Sequence, residues 1–155
     1  MRLNRTIDAL ALGLEKLLGL ALIVAVVFNF VNVVGRYGFG ASFFAADELQ
    51  TYSMVYMAFL GAAVATWRGL HLRMDVLLQR FPKKLQALLG LLELALIVVL
   101  GSLVTYVAWQ YVAQMYALGA RSQTAQIPMW IPHAAIAAGF GLMVLVGLLK
   151  LFEKR

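Results

Sequence analysis

LQALLGLLELALIVVLGSLVTYVAWQYVAQMYA, residues 85–117, holds one charged side chain, Glu93, in 33 positions. A transmembrane helix needs about 20 mostly apolar residues to cross ~30 Å of hydrocarbon. At about 1.5 Å per residue this window would reach ~50 Å as a helix. It is therefore expected to tilt or to project beyond the bilayer, with its membrane part at about 88–112. Three further apolar windows meet the same test, at 17–34, 49–67 and 129–149. The reading is an all-α integral membrane protein, one domain over 1–155, with four transmembrane helices.

Composition agrees. Hydrophobic residues make up 63% of the chain and charged residues 13%, with a mean hydropathy of +0.86. A soluble domain of this size cannot hide so much apolar surface. With no cysteine, disulfides, thiolate metal sites and cysteine nucleophiles are excluded. The net charge of +6 does not imply nucleic acid, because the bases follow the loops. Arg2, Arg5 and Lys16 precede the first window. Arg68, Arg73, Arg80, Lys83 and Lys84 lie between the second and third. Lys150, Lys154 and Arg155 follow the fourth. Only Arg36 and Arg121 remain for the other side, so the positive-inside rule places both termini in the cytoplasm. The first window is longer than a signal-peptide core, and Arg36 interrupts it before any small-residue cleavage site, so it is expected to be retained.

Between the second and third windows, Leu70, Met74, Leu77, Leu78 and Phe81 recur at helical spacing, and Pro82 ends the pattern. This predicts a short amphipathic helix over 70–81 in the cytoplasmic interface. The stripe Leu3, Ile7, Leu10 and Leu14 predicts that the first helix starts before the bilayer. The polar stretch 119–128 is expected to be solvated on the outer side.

Polar groups inside the apolar windows need partners, since a charge at mid-bilayer costs roughly 2.5–3.5 kcal/mol. Glu93 lies about nine residues, or ~13 Å, beyond Lys84. It reads either as an interhelical hydrogen-bonding group or as a proton carrier. Asn29 and Asn32 belong to the first reading. Arg36 is expected to pair with Asp47 or Glu48, which open the second helix, where acids favour the dipole. His71 and His133 fall at opposite sides, which excludes a shared haem. The tryptophans lie near the window ends, as an aromatic belt does. Ala58, Gly61, Ala62 and Ala65 form a small face on the second helix, suited to close helix contact here or in a partner. No phosphate loop, zinc-protease motif, internal repeat or broken helix appears. The chain therefore reads as a helper rather than an enzyme or a transporter core.

Arg36, Asp47-Glu48, Gly61-Ala62-Ala63, the run from Arg68 to Asp75 (RGLHLRMD) and Gln126-Ile127-Pro128-Met129-Trp130 occur in this order. Together they resemble the small membrane subunit (DctQ-type) of tripartite ATP-independent periplasmic (TRAP) transporters, over nearly the whole chain. The resemblance implies a bacterial inner-membrane protein with no cofactor of its own. Sodium and substrate would reside on a large multi-span permease subunit working as an elevator. A periplasmic solute-binding protein would deliver an organic acid. On that basis Arg36, Asp47, Glu48, Gly61, Ala62 and Ala65 are expected to meet the large subunit. Arg121, Gln123 and Gln126 are expected to meet the binding protein, and Arg68, Arg73, Arg80, Lys83 and Lys84 phospholipid headgroups. Two alternatives remain at this point: a homodimeric proton-coupled exporter using Glu93, and a non-transporting membrane adaptor.

Overall fold

A computed structural model of the chain describes residues 2–41, 43–69 and 81–153. Its four long helices are α1 (Arg2–Gly38), α2 (Ala46–Arg68), α3 (Lys83–Ala117) and α4 (Trp130–Glu153). The expected interfacial helix, with His71, Arg73 and Arg80, falls almost wholly outside the described residues.

The helix limits follow local chemistry. α1 runs unbroken from Arg2, as the early leucine stripe predicts, and its 37 residues reach about 55 Å. It stops where the carbonyl of Gly35 accepts from the backbone N–H groups of Phe39 (3.1 Å) and Ala41 (3.0 Å). A Cβ at Gly35 would lie 2.7 Å from the Ala41 carbonyl oxygen, so the turn requires glycine there. α2 ends at Gly69, whose φ of 68° is the left-handed conformation glycine adopts without penalty. α3 starts directly after Pro82 and continues through the whole apolar window, 35 residues in one helix.

Among the described residues, three helical segments are long and apolar enough to cross a membrane: Thr6–Gly38, Lys83–Ala117 and Trp130–Leu151. α2 differs. It is helical across the expected 49–67 window, but its first turns carry Asp47, Glu48, Gln50, Thr51 and Ser53, which dilute its apolar character. Among the described residues the helices contact in the order α1–α2, α2–α4 and α4–α3. They form an open row rather than a closed bundle, with α1 and α3 at its edges. α3 and α4 are antiparallel: Gly147 approaches Val98 and Gly101 approaches Val144. α2 and α4 run parallel, since Tyr56 reaches Ile131 near their starts and Lys150 reaches Thr66 near their ends.

An open row buries little. Its core residues are mainly small: Ala46, Ala63, Ala135 and Ala137, with Leu94 and Val112 on α3. Small side chains let helix backbones approach closely where hydrocarbon surroundings supply no hydrophobic drive. The tightest point is Gly139, where a Cβ would lie 2.5 Å from Phe59 Cβ and 2.8 Å from the Phe59 carbonyl oxygen. The edge helices leave large apolar side chains bare, among them Ile23, Phe30 and Val31 on α1 and Val99, Leu103 and Trp109 on α3.

Candidate functional site

The row has two polar ends. At the end holding the termini, α1 is tied to α2 by Trp67 Nε1, which donates to Asp8 Oδ1 at 2.8 Å. Arg68 Nη2 lies 3.0 Å from Glu15 Oε2. Lys150 Nζ donates to the Thr66 carbonyl at 2.7 Å and sits 5.9 Å from the centre of the Trp67 ring. Arg68, expected at lipid headgroups, is thus engaged with an acid of its own chain while staying exposed. Lys83 and Lys84 are exposed at the start of α3. Asp8 and Glu15 escaped the sequence reading, though they are the only acids in the early basic segment, and Lys150 was read only as a cytoplasmic base.

The opposite end gathers most of the expected site. Arg36 Nη2 lies 3.5 Å from Asp47 Oδ2, both side chains well exposed. Asn29 donates through its side-chain amide to Gln50 on α2. Asn32 Oδ1 accepts from the Phe43 backbone N–H at 3.0 Å, which anchors the α1–α2 turn. The two asparagines are therefore interhelical and turn-holding groups. Glu93 is half-buried along α3, away from this end.

Glu48 departs from Arg36 and Asp47. Its carboxylate turns into the loop between α3 and α4. Oε1 accepts from the Thr124 backbone N–H at 2.9 Å, and Oε2 from that of Ala125 at 2.8 Å. The Ser122 hydroxyl also bonds to it. These contacts hold the carboxyl down from an ordinary 4.5 to about 2. The Ala125 amide contributes most, then the Ser122 hydroxyl, and the Thr124 amide adds to them against the opposing effect of desolvation.

The loop itself is a small hairpin. Ser122 N–H donates to the Ile127 carbonyl and Met129 N–H to the Ala120 carbonyl, each at 2.9 Å. Ser122, almost fully buried, accepts from the Ile127 N–H at 3.0 Å. Gln126 turns the chain with a φ of 56°. Arg121 Nη1 donates to the Gln126 carbonyl at 3.2 Å, and Gln126 Nε2 to the Gln123 carbonyl at 3.3 Å. Arg121, Gln123 and Gln126 thus form one exposed patch. Tyr52 and Tyr56 on α2 bond to Met129 and to the Ile131 carbonyl (2.6 Å), fixing the base of the loop. The His133 ring bonds to the Met129 carbonyl at 2.6 Å and lies against Tyr111.

Of the small face on α2, Gly61 has open space around it and lies in a groove with Leu18, Gly19, Leu22, Met54 and Met57. Ala62 and Ala65 are half-buried. Of the small residues of α4, Ala135, Ala137 and Gly139 are buried within the chain, while Ala138 is exposed.

Long apolar helices in an open row, with polar clamps at both ends and an exposed polar loop, define a multi-pass membrane protein. The family model of the DctQ component of tripartite ATP-independent periplasmic transporters matches residues 15–155. The chain belongs to that family of non-enzymatic, inner-membrane permease components. It is 30% identical over 87 residues to a putative TRAP transporter small permease protein of Haemophilus influenzae, covering 56% of this chain and 50% of that one. It is 31% identical over 98 residues to the C4-dicarboxylate TRAP transporter small permease protein DctQ of Rhodobacter capsulatus, covering 63% and 43%. The ectoine TRAP transporter small permease protein TeaB of Halomonas elongata is 28% identical over 137 residues, covering 87% and 70%. The chain thus spans about half the length of the first two of these relatives.

Proposed function

We propose that the chain is the small permease subunit of a TRAP-type secondary transporter. It braces the fixed scaffold of a large, sodium-coupled elevator subunit. A periplasmic binding protein delivers the solute, an organic compound bearing a carboxylate, in keeping with the C4-dicarboxylate in one relative's name. Sodium and solute bind the large subunit. All four helices cross the membrane, α2 flanked by α1 and α4, and both termini face the cytoplasm. The cytoplasmic side is the one rich in bases. There Arg68, Arg73, Arg80, Lys83 and Lys84 meet phospholipid headgroups.

The observation that carries the reading is the open row. A moving carrier domain needs a stationary frame, and an open row with bare apolar edges can extend one sideways in the bilayer. Charge supports the orientation: Arg68, Lys83, Lys84 and Lys150 cluster at the terminal end, against Arg36 and Arg121 at the loop end. On this reading Arg36 and Asp47, with Gly61, Ala62 and Ala65, face the large subunit. Arg121, Gln123 and Gln126 face the binding protein.

Affinity purification from the native membrane in mild detergent, with partners identified by mass spectrometry, tests it. A stoichiometric and much larger multi-span protein is expected. Recovery of the chain alone as a homodimer overturns the proposal and makes Glu93 the next residue to substitute.

A further inference from the structure

Within the hairpin over 120–129 the side chains of Arg121, Ser122 and Gln126 bond to its backbone, but the N–H groups of Thr124 and Ala125 at its tip bond outside it. Its two backbone hydrogen bonds join residues near its base, Ser122 to Ile127 and Ala120 to Met129. Gln126 adopts a left-handed φ of 56°, which a residue with a Cβ adopts only when its surroundings enforce it. The tip is held from outside. The adjacent N–H groups of Thr124 and Ala125 both point at the carboxylate of Glu48, one to each oxygen. Ser122, almost fully buried, accepts from the Ile127 N–H and ties the tip to the segment that follows it. Successive backbone N–H groups around one anion make a rigid cradle. Here the anion stands on the first turn of α2, fixed to the helix row.

The same turn carries Arg121, Gln123 and Gln126, exposed and linked to one another through the Gln126 and Gln123 carbonyls. One cation flanked by two amides suits an acidic, carbonyl-rich rim on a soluble protein. We infer that Glu48 is a positioning residue for this patch: it holds the 120–129 loop in the shape that the soluble binding protein recognises. It is not itself a contact of the large subunit. The inference rests on the landing-surface reading proposed above.

The chain has no cysteine of its own, so a nitroxide on Gln123→Cys labels it at the tip alone, and the complex assembled with the cysteine-free wild-type chain supplies the background spectrum to subtract. The sample is the full chain assembled with its co-purifying large subunit in nanodiscs. The probe for docking is the soluble binding protein, purified from the native periplasm and flowed over the immobilised complex. Glu48→Gln keeps the size of the side chain but offers one acceptor oxygen to two N–H groups. Glu48→Ala offers none, and Glu48→Asp keeps the charge.

The nitroxide is expected to be immobilised beside Glu48, mobile in the Gln and Ala variants, and partly restrained again with Asp. The Kd for the binding protein should rise about tenfold in the first two and recover partly in the third, with large-subunit recovery unchanged. Arg121→Glu and Gln123→Ala, without the label, should raise the Kd; Arg121→Glu on the labelled chain should leave the nitroxide immobilised. If Glu48 variants leave the nitroxide or the Kd unaltered while Arg121→Glu weakens docking, the positioning role is overturned and the landing surface stands. If Arg121→Glu and Gln123→Ala leave the Kd unchanged, the landing-surface reading falls, and the inference with it.

Discussion

Trp67 Nε1 donates to Asp8 Oδ1 at 2.8 Å across 59 positions of sequence, joining the start of α1 to the last turn of α2. Beside it Arg68 meets Glu15 at 3.0 Å. These polar ties hold a helix that otherwise touches only α2 extensively. Trp67→Phe and Asp8→Ala should each lower stability by about 1 kcal/mol, and the double variant should cost little more than either alone. Arg68→Ala should cost less, ~0.5 kcal/mol, because both its charges are exposed. A double-mutant cycle on thermal unfolding in detergent checks this. Fully additive costs would show that the indole and the carboxylate act separately.

Two glycines that look alike in sequence should behave oppositely. Gly139 meets the Phe59 backbone, so Gly139→Ala must push α2 and α4 apart; a cost of about 1–3 kcal/mol is expected from overpacking. Gly61 has nothing within 4 Å of a built Cβ, so Gly61→Ala should leave stability unchanged or slightly raised. Gly61→Leu, by contrast, fills the groove with Leu18 and Met57 and should reduce recovery of the large subunit without unfolding the chain. Melting temperature and co-purification, read on the same samples, separate the two effects. Equal destabilisation by both alanines would contradict the packing described.

The contrast marks how far the sequence could be read. Apolar length found the helices, because hydrocarbon thickness sets that length directly. The stripe Leu3, Ile7, Leu10 and Leu14 placed the start of α1 ahead of its apolar run. Depth alone brought Arg36 to Asp47. The order α1–α2–α4–α3 was not legible. The edge helices are apolar on nearly every face, so no stripe says which side meets a neighbour. Glu48 was grouped with Arg36 for a like reason. Its partners are chiefly the backbone N–H groups of Thr124 and Ala125, and a backbone donor leaves no mark in a sequence. Gln50, the partner of Asn29, was equally silent among the polar residues of the first α2 turns.

Arg36 and Asp47 form an exposed pair at 3.5 Å, and such pairs contribute about 0–1 kcal/mol to folding. Their value would lie in association. Asp47→Ala and Arg36→Ala should leave the melting temperature within a degree or two and reduce recovery of the large subunit several-fold. Undiminished co-purification in both variants would remove the pair from the interface.

The hold of Glu48 on the loop should depend on pH in one direction only. Its folded-state carboxyl is depressed to about 2, below the 4.5 of the free group, so the charged form is the one that the Thr124 and Ala125 amides favour. The stabilisation is complete above 4.5. It declines as acid protonates the carboxyl in the unfolded chain, and is gone once pH falls through about 2. Docking and the immobilised nitroxide at position 123 should therefore be unchanged from pH 9 to pH 5. Glu48→Gln should show the loosened spectrum at every pH in that interval. A wild-type loop that loosens near pH 6 would mean that a group other than Glu48 holds it.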